Sequence, residues 1–295
     1  MSRPIHLAVI GDGRLATELR THGAPLGRIR LVDAGARDAQ AVLVDLPPGE
    51  RLAAVLAALR GGRIVLCPPP VALDAAALAA IDAAQTRGGG FLLPAGEIAH
   101  GPAGSRGLAA MAAPEFGALR SLYLAIRQPR GTGEDVLETL LPEALDMVLA
   151  AMPERFTSVR VNSAALFGAA RDTAVILLRS ETDVVVTIEL SRCLPPGLPA
   201  PGLGEVEIDA MGARQSVRIV PHASAVRIHR DDGVAVAPWQ DSPALAMLRA
   251  VVARFDAPLG AASGLLRATR ALTLTEAISA ARASGYAPGY AIVTS

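Results

Sequence analysis

Short apolar runs alternate with helical stretches through the first part of the chain. Ile5 to Ile10 is apolar apart from His6, which predicts a strand buried on both faces. A helix is expected from about Arg14 to His22. Ile29 to Val32 and Ala41 to Leu46 are further strand candidates. Pro47-Pro48-Gly49 breaks the pattern, and Glu50 to Leu59 reads as a helix closed by Gly61-Gly62. Arg63 to Cys67 is a strand stopped by Pro68-Pro69-Pro70. Asp74 is placed to cap an alanine-rich helix to Thr86, and Phe91 to Leu93 is one more strand. Strands alternating with helices predict a doubly wound parallel sheet.

The remainder has another texture. Leu119 to Arg127 reads as a strand, and Glu134 to Met152 as one helix kinked or broken at Pro142. Then strands follow at short spacing: Ser158 to Asn162, Thr173 to Arg179, Val184 to Arg192, Glu205 to Met211, Ser216 to Val220 and Ala225 to Arg230. Helices are expected at about Ser242 to Phe255 and Ser263 to Ser284. This predicts a mostly antiparallel sheet with helices on one face. The expected division is 1–117, a shortened Rossmann-type α/β domain, and 118–295, an α+β domain for substrate and dimerisation.

Gly11-Asp12-Gly13-Arg14-Leu15-Ala16 is G-x-G-x-x-A between a predicted strand and a predicted helix. The first glycine permits the tight turn, and the second lets backbone N–H groups approach a diphosphate. Gly11, Gly13, Arg14 and Leu15 are therefore candidate cofactor-binding residues. Asp33, about 20 residues on, is placed to take the ribose hydroxyls of NAD rather than NADP. Only Ala34 to Gln40 separates its strand from the next, where a parallel crossover normally needs a dozen residues or more. The strand at Ile29 is thus expected to run antiparallel or to be no strand, and the adenosine side of the pocket to be cut down.

Composition removes several function classes. Formal net charge is zero, which leaves no basic field for nucleic acid or an anionic membrane. No apolar run is long enough for a membrane helix and no signal peptide is evident, so a cytoplasmic protein is expected. All 28 basic residues are arginine, so no lysine chemistry is available. Cys67 and Cys193 form neither a metal-ligand spacing nor a disulfide framework.

Several segments resemble the glucose-fructose oxidoreductase/inositol dehydrogenase/MocA (Gfo/Idh/MocA) family. They are Ala41 to Pro47, the following helix and Gly62 to Cys67; Pro114 to Arg127; Leu145-Asp146-Met147-Val148-Leu149 with Phe156 to Val159; and Gly285 to Val293. The resemblance implies NAD or NADP as cofactor, with Leu46, Pro47 and Cys67 beside it. It also implies a small-molecule substrate and a homodimer or related heteromer built on the C-terminal sheet.

The family's chemistry rests on Glu-Lys-Pro and an Asp-x-x-x-His pair. Aligned on Cys67, this chain has Pro68-Pro69-Pro70; aligned on Asp146, it has Thr139 and Glu143. The loss reads two ways: an oxidoreductase with a relocated proton donor, or a catalytically inactive scaffold that binds a ligand or a partner subunit. Glu143, at the family's histidine position, is the first relocated candidate, and a carboxyl there must be desolvated to hold a proton near neutrality. His100 in the connecting loop is the second. The remaining histidines read as structural or surface residues. Arg127, Arg130 and Arg192 are forks able to clamp a carboxylate or phosphate, though with so many arginines coincidence is the simpler reading.

Overall fold

The computed structural model describes residues 4–22, 28–131, 133–152, 154–196, 203–220, 225–230, 233–238, 243–256, 262–284 and 290–291. The chain divides into two compact units. One comprises 1–101 and 241–272, the other 102–240 and 273–295. The division thus falls after Gly101 rather than at 117, and one C-terminal stretch returns to the first unit.

In the first unit, five parallel strands lie in the order β2-β1-β3-β4-β5. They are β1 (Ile5–Gly11), β2 (Ile29–Val32), β3 (Ala41–Asp45), β4 (Ile64–Cys67) and β5 (Phe91–Pro94). One face packs Leu7 and Val9 with Leu15 and Leu19 of α1 (Arg14–His22) and Met247 and Leu248 of α8 (Pro243–Asp256). The other packs Ala8, Val42 and Val65 with α2 (Leu52–Arg60), α3 (Ala75–Gly88) and Ala268 of α9 (Ala262–Ala283). Covering both faces explains why Ala41 to Val44 and Ile64 to Cys67 are buried at every position. Asp74 caps α3 as expected, accepting from the Ala77 N–H at 2.7 Å.

The expectation for the strand at Ile29 is overturned. β2 is a strand and runs parallel to β1, with Ile5 opposite Ile29 and Ala8 opposite Val32. β3 lies on the other side, with Leu7 opposite Ala41. A dozen residues are needed only for a full return along the strand. β2 stops level with Ala8 and β3 starts level with Leu7, so the chain steps roughly 10 Å sideways and back by about one residue. Residues 33–40 cover that span without a helix. Small side chains let this segment lie on the sheet, Ala36 and Ala39 packing in the same cluster as Ala8. His6 fastens it: its N–H donates to Gln40 Oε1 at 2.9 Å, its carbonyl accepts from the Gln40 N–H at 2.9 Å, and its Nδ1 meets Asp38 Oδ2 at 2.6 Å.

The second unit holds a nine-stranded sheet in the order β13-β12-β11-β10-β6-β9-β8-β7-β14. Its strands are β6 (Leu119–Pro129), β7 (Phe156–Ala164), β8 (Thr173–Ser180), β9 (Val185–Leu194), β10 (Glu205–Gly212), β11 (Ser216–Val220), β12 (Ala225–Arg230), β13 (Gly233–Pro238) and β14 (Tyr290–Ala291). Every neighbouring pair is antiparallel except β6 with β9. Helix α5 (Pro102–Ala112) packs on β11 and β12, with Gly107 against Ile219. That contact carries residues from 102 onward into this unit. The helix expected from Glu134 is broken by Pro142 into α6 (Val136–Thr139) and α7 (Leu141–Ala151). Strand β8 alternates buried Ala174, Ile176 and Leu178 with exposed Val175, Leu177 and Arg179, as a sheet covered on one face must.

Candidate functional site

β1 ends at Gly11, whose φ of 96° suits glycine. A side chain there would run into the Asp45 carbonyl oxygen at the end of β3. Gly13 donates its N–H to the same carbonyl at 3.2 Å, and its own carbonyl opens α1 by accepting from the Thr17 N–H at 2.9 Å. A Cβ on Gly13 would run into the Asp45 carboxylate. Ala16 is fully buried, so α1 can lie close on the sheet. Leu15 turns its side chain into the core.

This backbone fits a diphosphate-bearing dinucleotide. The loop lies at the carboxyl end of β1, where strand order reverses between β2 and β3, and α1 presents its positive end there. One side chain already stands among the amides: Asp45 Oδ2 accepts from the Ala16 N–H at 2.9 Å. Arg14, the loop's cation, pairs through Nε with Glu97 Oε1 at 3.0 Å, through Nη2 with Glu97 Oε2, and with Glu18 at 3.7 Å.

Asp33 is not brought to this loop. β2 ends level with Ala8, three residues short of Gly11. Asp33 is exposed in a turn where its carbonyl accepts from the Ala36 N–H at 2.9 Å.

The ends of β3 and β4 are tied by Arg51, which is 5% exposed. Its guanidinium donates to Leu46 O at 3.0 and 2.6 Å, to Pro70 O at 3.0 Å and to Pro68 O. Among the described residues no carboxylate lies within ion-pair distance of it. The expected Leu46 and Cys67 are both contacts of this one guanidinium, with Cys67 Sγ 3.7 Å away. Pro47 is exposed beside them. Burial, partly opposed by Arg51, pushes the Cys67 thiol up to about 11, so it is inert near neutrality.

His100 closes the short helix α4 (Glu97–His100), and its Nε2 lies 3.2 Å from Arg267 Nη2 on α9. A guanidinium has no acceptor, so Nε2 accepts here and a proton on this ring sits at Nδ1. Arg267 Nη2 also donates to Pro94 O at 2.8 Å.

In the second unit, Glu143 is buried in the first turn of α7. Thr139, at the position of the family's acid, accepts from Arg192 Nη2 at 2.8 Å. Arg192 is nearly fully buried, and it also donates to Glu134 O at 2.9 Å, Glu134 Oε2 at 3.2 Å and Gln128 Oε1 at 3.3 Å. Arg130 stacks on the Phe167 ring at 3.8 Å. Arg127 binds Glu189 at 2.9 Å and Glu207 at 3.2 Å on the sheet's open face. There burial would raise the Glu189 carboxyl, but its bonds to Arg127 and Tyr123 hold it below the usual range. Burial, then the bond to Glu189, pushes Tyr123 up to about 12. All three arginines are thus engaged within the protein. His222 lies outside the described residues, as do the side chains of His22 and of 285–293.

Two residues at the site escape sequence reasoning. Asp45 ends an apolar run, where an acid reads as the first solvated residue. Arg51 falls in the first turn of the predicted helix, where an arginine reads as surface. For Asp45 one signal exists: an acid at the carboxyl end of the strand beside the glycine loop's own strand.

No protein-family model and no curated protein matches the sequence. Solved structures do match over the whole length. An NAD-binding oxidoreductase from Klebsiella pneumoniae superposes with a TM-score of 0.80 at 13% identity, over 99% of this chain and 100% of its own. An oxidoreductase from Agrobacterium radiobacter, solved with NAD+, L-tartaric acid and magnesium, gives 0.79 at 13% identity, over 98% of both chains. The WlbA dehydrogenase from Bordetella pertussis, solved with NADH and UDP-GlcNAcA, gives 0.67 at 17%, over 96% of this chain and 98% of its own. At these identities the likeness establishes the fold, a Rossmann-type unit joined to a mostly antiparallel sheet unit.

Proposed function

We propose that the chain is a divergent oxidoreductase of the Gfo/Idh/MocA type, linked to a nicotinamide dinucleotide. Its substrate would be a small polar or cyclic molecule bearing a hydroxyl or carbonyl. The observation that carries this reading is the glycine loop, two side-chain-free positions at the end of β1 that open α1 at the point where strand order reverses. The cofactors bound in the similar structures favour NAD. When bound, the nicotinamide supplies the hydride chemistry. The chain's own tasks are to seat the diphosphate on the Arg14 and Leu15 backbone beside Gly13, to exclude water, and to move one proton at the substrate oxygen. Arg51 fixes the strand ends at Leu46 and Pro70 that would floor the nicotinamide side.

No lysine exists to handle the proton. Of the two candidates we favour Glu143, because it is buried, as a carboxyl that holds a proton near neutrality must be. NADH titration followed by fluorescence should saturate by about 1 mM. Glu143→Gln should then lower turnover about 100-fold with cofactor affinity unchanged. No saturation by NADH or NADPH at millimolar concentration would remove this reading in favour of a non-catalytic scaffold.

For the partner we propose a second copy on the open face of the large sheet, where Val175, Leu177 and Val185 are 37%, 41% and 45% exposed. Leu177→Glu should convert a dimer to a monomer in light scattering. A native monomer would refute this. Among the described residues no helix is long and apolar enough to cross a membrane.

A further inference from the structure

The first turn of any α-helix has N–H groups without intrahelical partners. In α1 that turn is Gly13 to Ala16, and Gly13 has no side chain to serve as a cap. Asp45 serves instead from the neighbouring strand. Its carbonyl takes the Gly13 N–H at 3.2 Å, and its carboxylate takes the Ala16 N–H at 2.9 Å. The carboxylate fills the space a Gly13 side chain would occupy, which is where an N-cap oxygen belongs. Its position is fixed by the sheet, since Asp45 pairs with Gly11 in the β1–β3 register.

A resident anion therefore stands on the amides that a diphosphate must approach. Arg14, the loop's own cation, is itself paired with Glu97 and Glu18. The Asp45 charge also reaches the end of β4, where it acts on Cys67.

We infer that Asp45 sets the affinity of this site, holding α1 closed with an internal carboxylate that a dinucleotide's diphosphate must displace or repel. This inference rests on the proposed cofactor reading. Asp45's two roles, cap and charge, separate by chemistry. An asparagine keeps an oxygen for the Ala16 N–H and drops the charge. A serine keeps a capping oxygen and removes the bulk.

The test uses the full chain and its Asp45→Asn and Asp45→Ser variants, titrated with NADH by fluorescence and with inorganic pyrophosphate by calorimetry, at one fixed salt concentration. Asp45→Asn should bind both probes at least tenfold more tightly than the native chain, with a melting temperature close to native. Asp45→Ser should also gain affinity, and it serves if the asparagine variant does not fold. Equal NADH affinity in native and variant chains would overturn the inference and leave the cofactor reading standing. If no chain binds NADH, the cofactor reading fails, and pyrophosphate decides the inference: gained binding in the variants upholds it, and unchanged binding overturns it.

Discussion

β2 and β3 flank β1 as parallel neighbours, and an aspartate stands at the carboxyl end of each. On the β2 side, Asp33 follows a strand that stops level with Ala8, and the residue is exposed. On the β3 side, Asp45 is level with Gly11 and is bonded to the first turn of α1. Distance along the chain favours Asp33 as the acid of the site, about 20 residues past the glycines. Register puts Asp45, not Asp33, level with the glycine loop. What decides which strand-end acid reaches a glycine loop is where each strand stops relative to its neighbour, and a four-residue strand stops too soon.

The sharpest way to break this comparison is on the β3 side. Gly11→Val forces a side chain onto the Asp45 carbonyl at a φ of 96°. It should cost about 3 kcal/mol or more, or prevent folding, as read by urea unfolding. A variant of native stability would mean the close approach of β1 and β3 is not as described.

Next in size is a pH effect at the neighbouring strand end. The folded Cys67 thiol holds its proton to about 11, against an ordinary value near 9. Between those values the unfolded chain deprotonates first, so folding stability falls as pH rises through that window, by about 3 kcal/mol from this group. Below pH 9 the stabilisation is fully present. The decline should be shallower in Cys67→Ala, and identical slopes in the two proteins would refute the burial argument.

The Asp45→Asn gain in affinity, tenfold or more, comes third. Its counterpart on the other side is the smallest effect. Asp33→Ser should change NADH affinity less than about threefold, since its strand stops short of the glycine loop and the residue is exposed. A tenfold loss would restore Asp33 to the site and reverse the comparison.

Much of this architecture is legible in the residues. Continuous apolar runs such as Ala41 to Val44 mark strands covered on both faces, and the alternation of Thr173 to Ser180 marks one open face. The Gly11–Gly13 bend is legible because only glycine tolerates that geometry. Other features depend on tertiary placement that local pattern does not encode. Met247 and Leu248 read as the apolar stripe of a helix, but the pattern does not say that they complete the first unit's core. Helix α5 hides behind Pro102, Gly104 and Gly107, whose low helix propensity is overridden by packing on β11 and β12. Arg51 carries a charge that sequence assigns to solvent, yet it is buried on backbone carbonyls.

The central claim is that the bend after β1 receives a dinucleotide through its backbone. Its most direct measurement is calorimetric titration of NADH into the native chain and into Gly13→Val, with folding of both confirmed by circular dichroism. The account predicts saturable binding to the native chain and none to the folded variant, whose new side chain would collide with the Asp45 carboxylate and crowd the amides it caps. Equal binding to both proteins would contradict it.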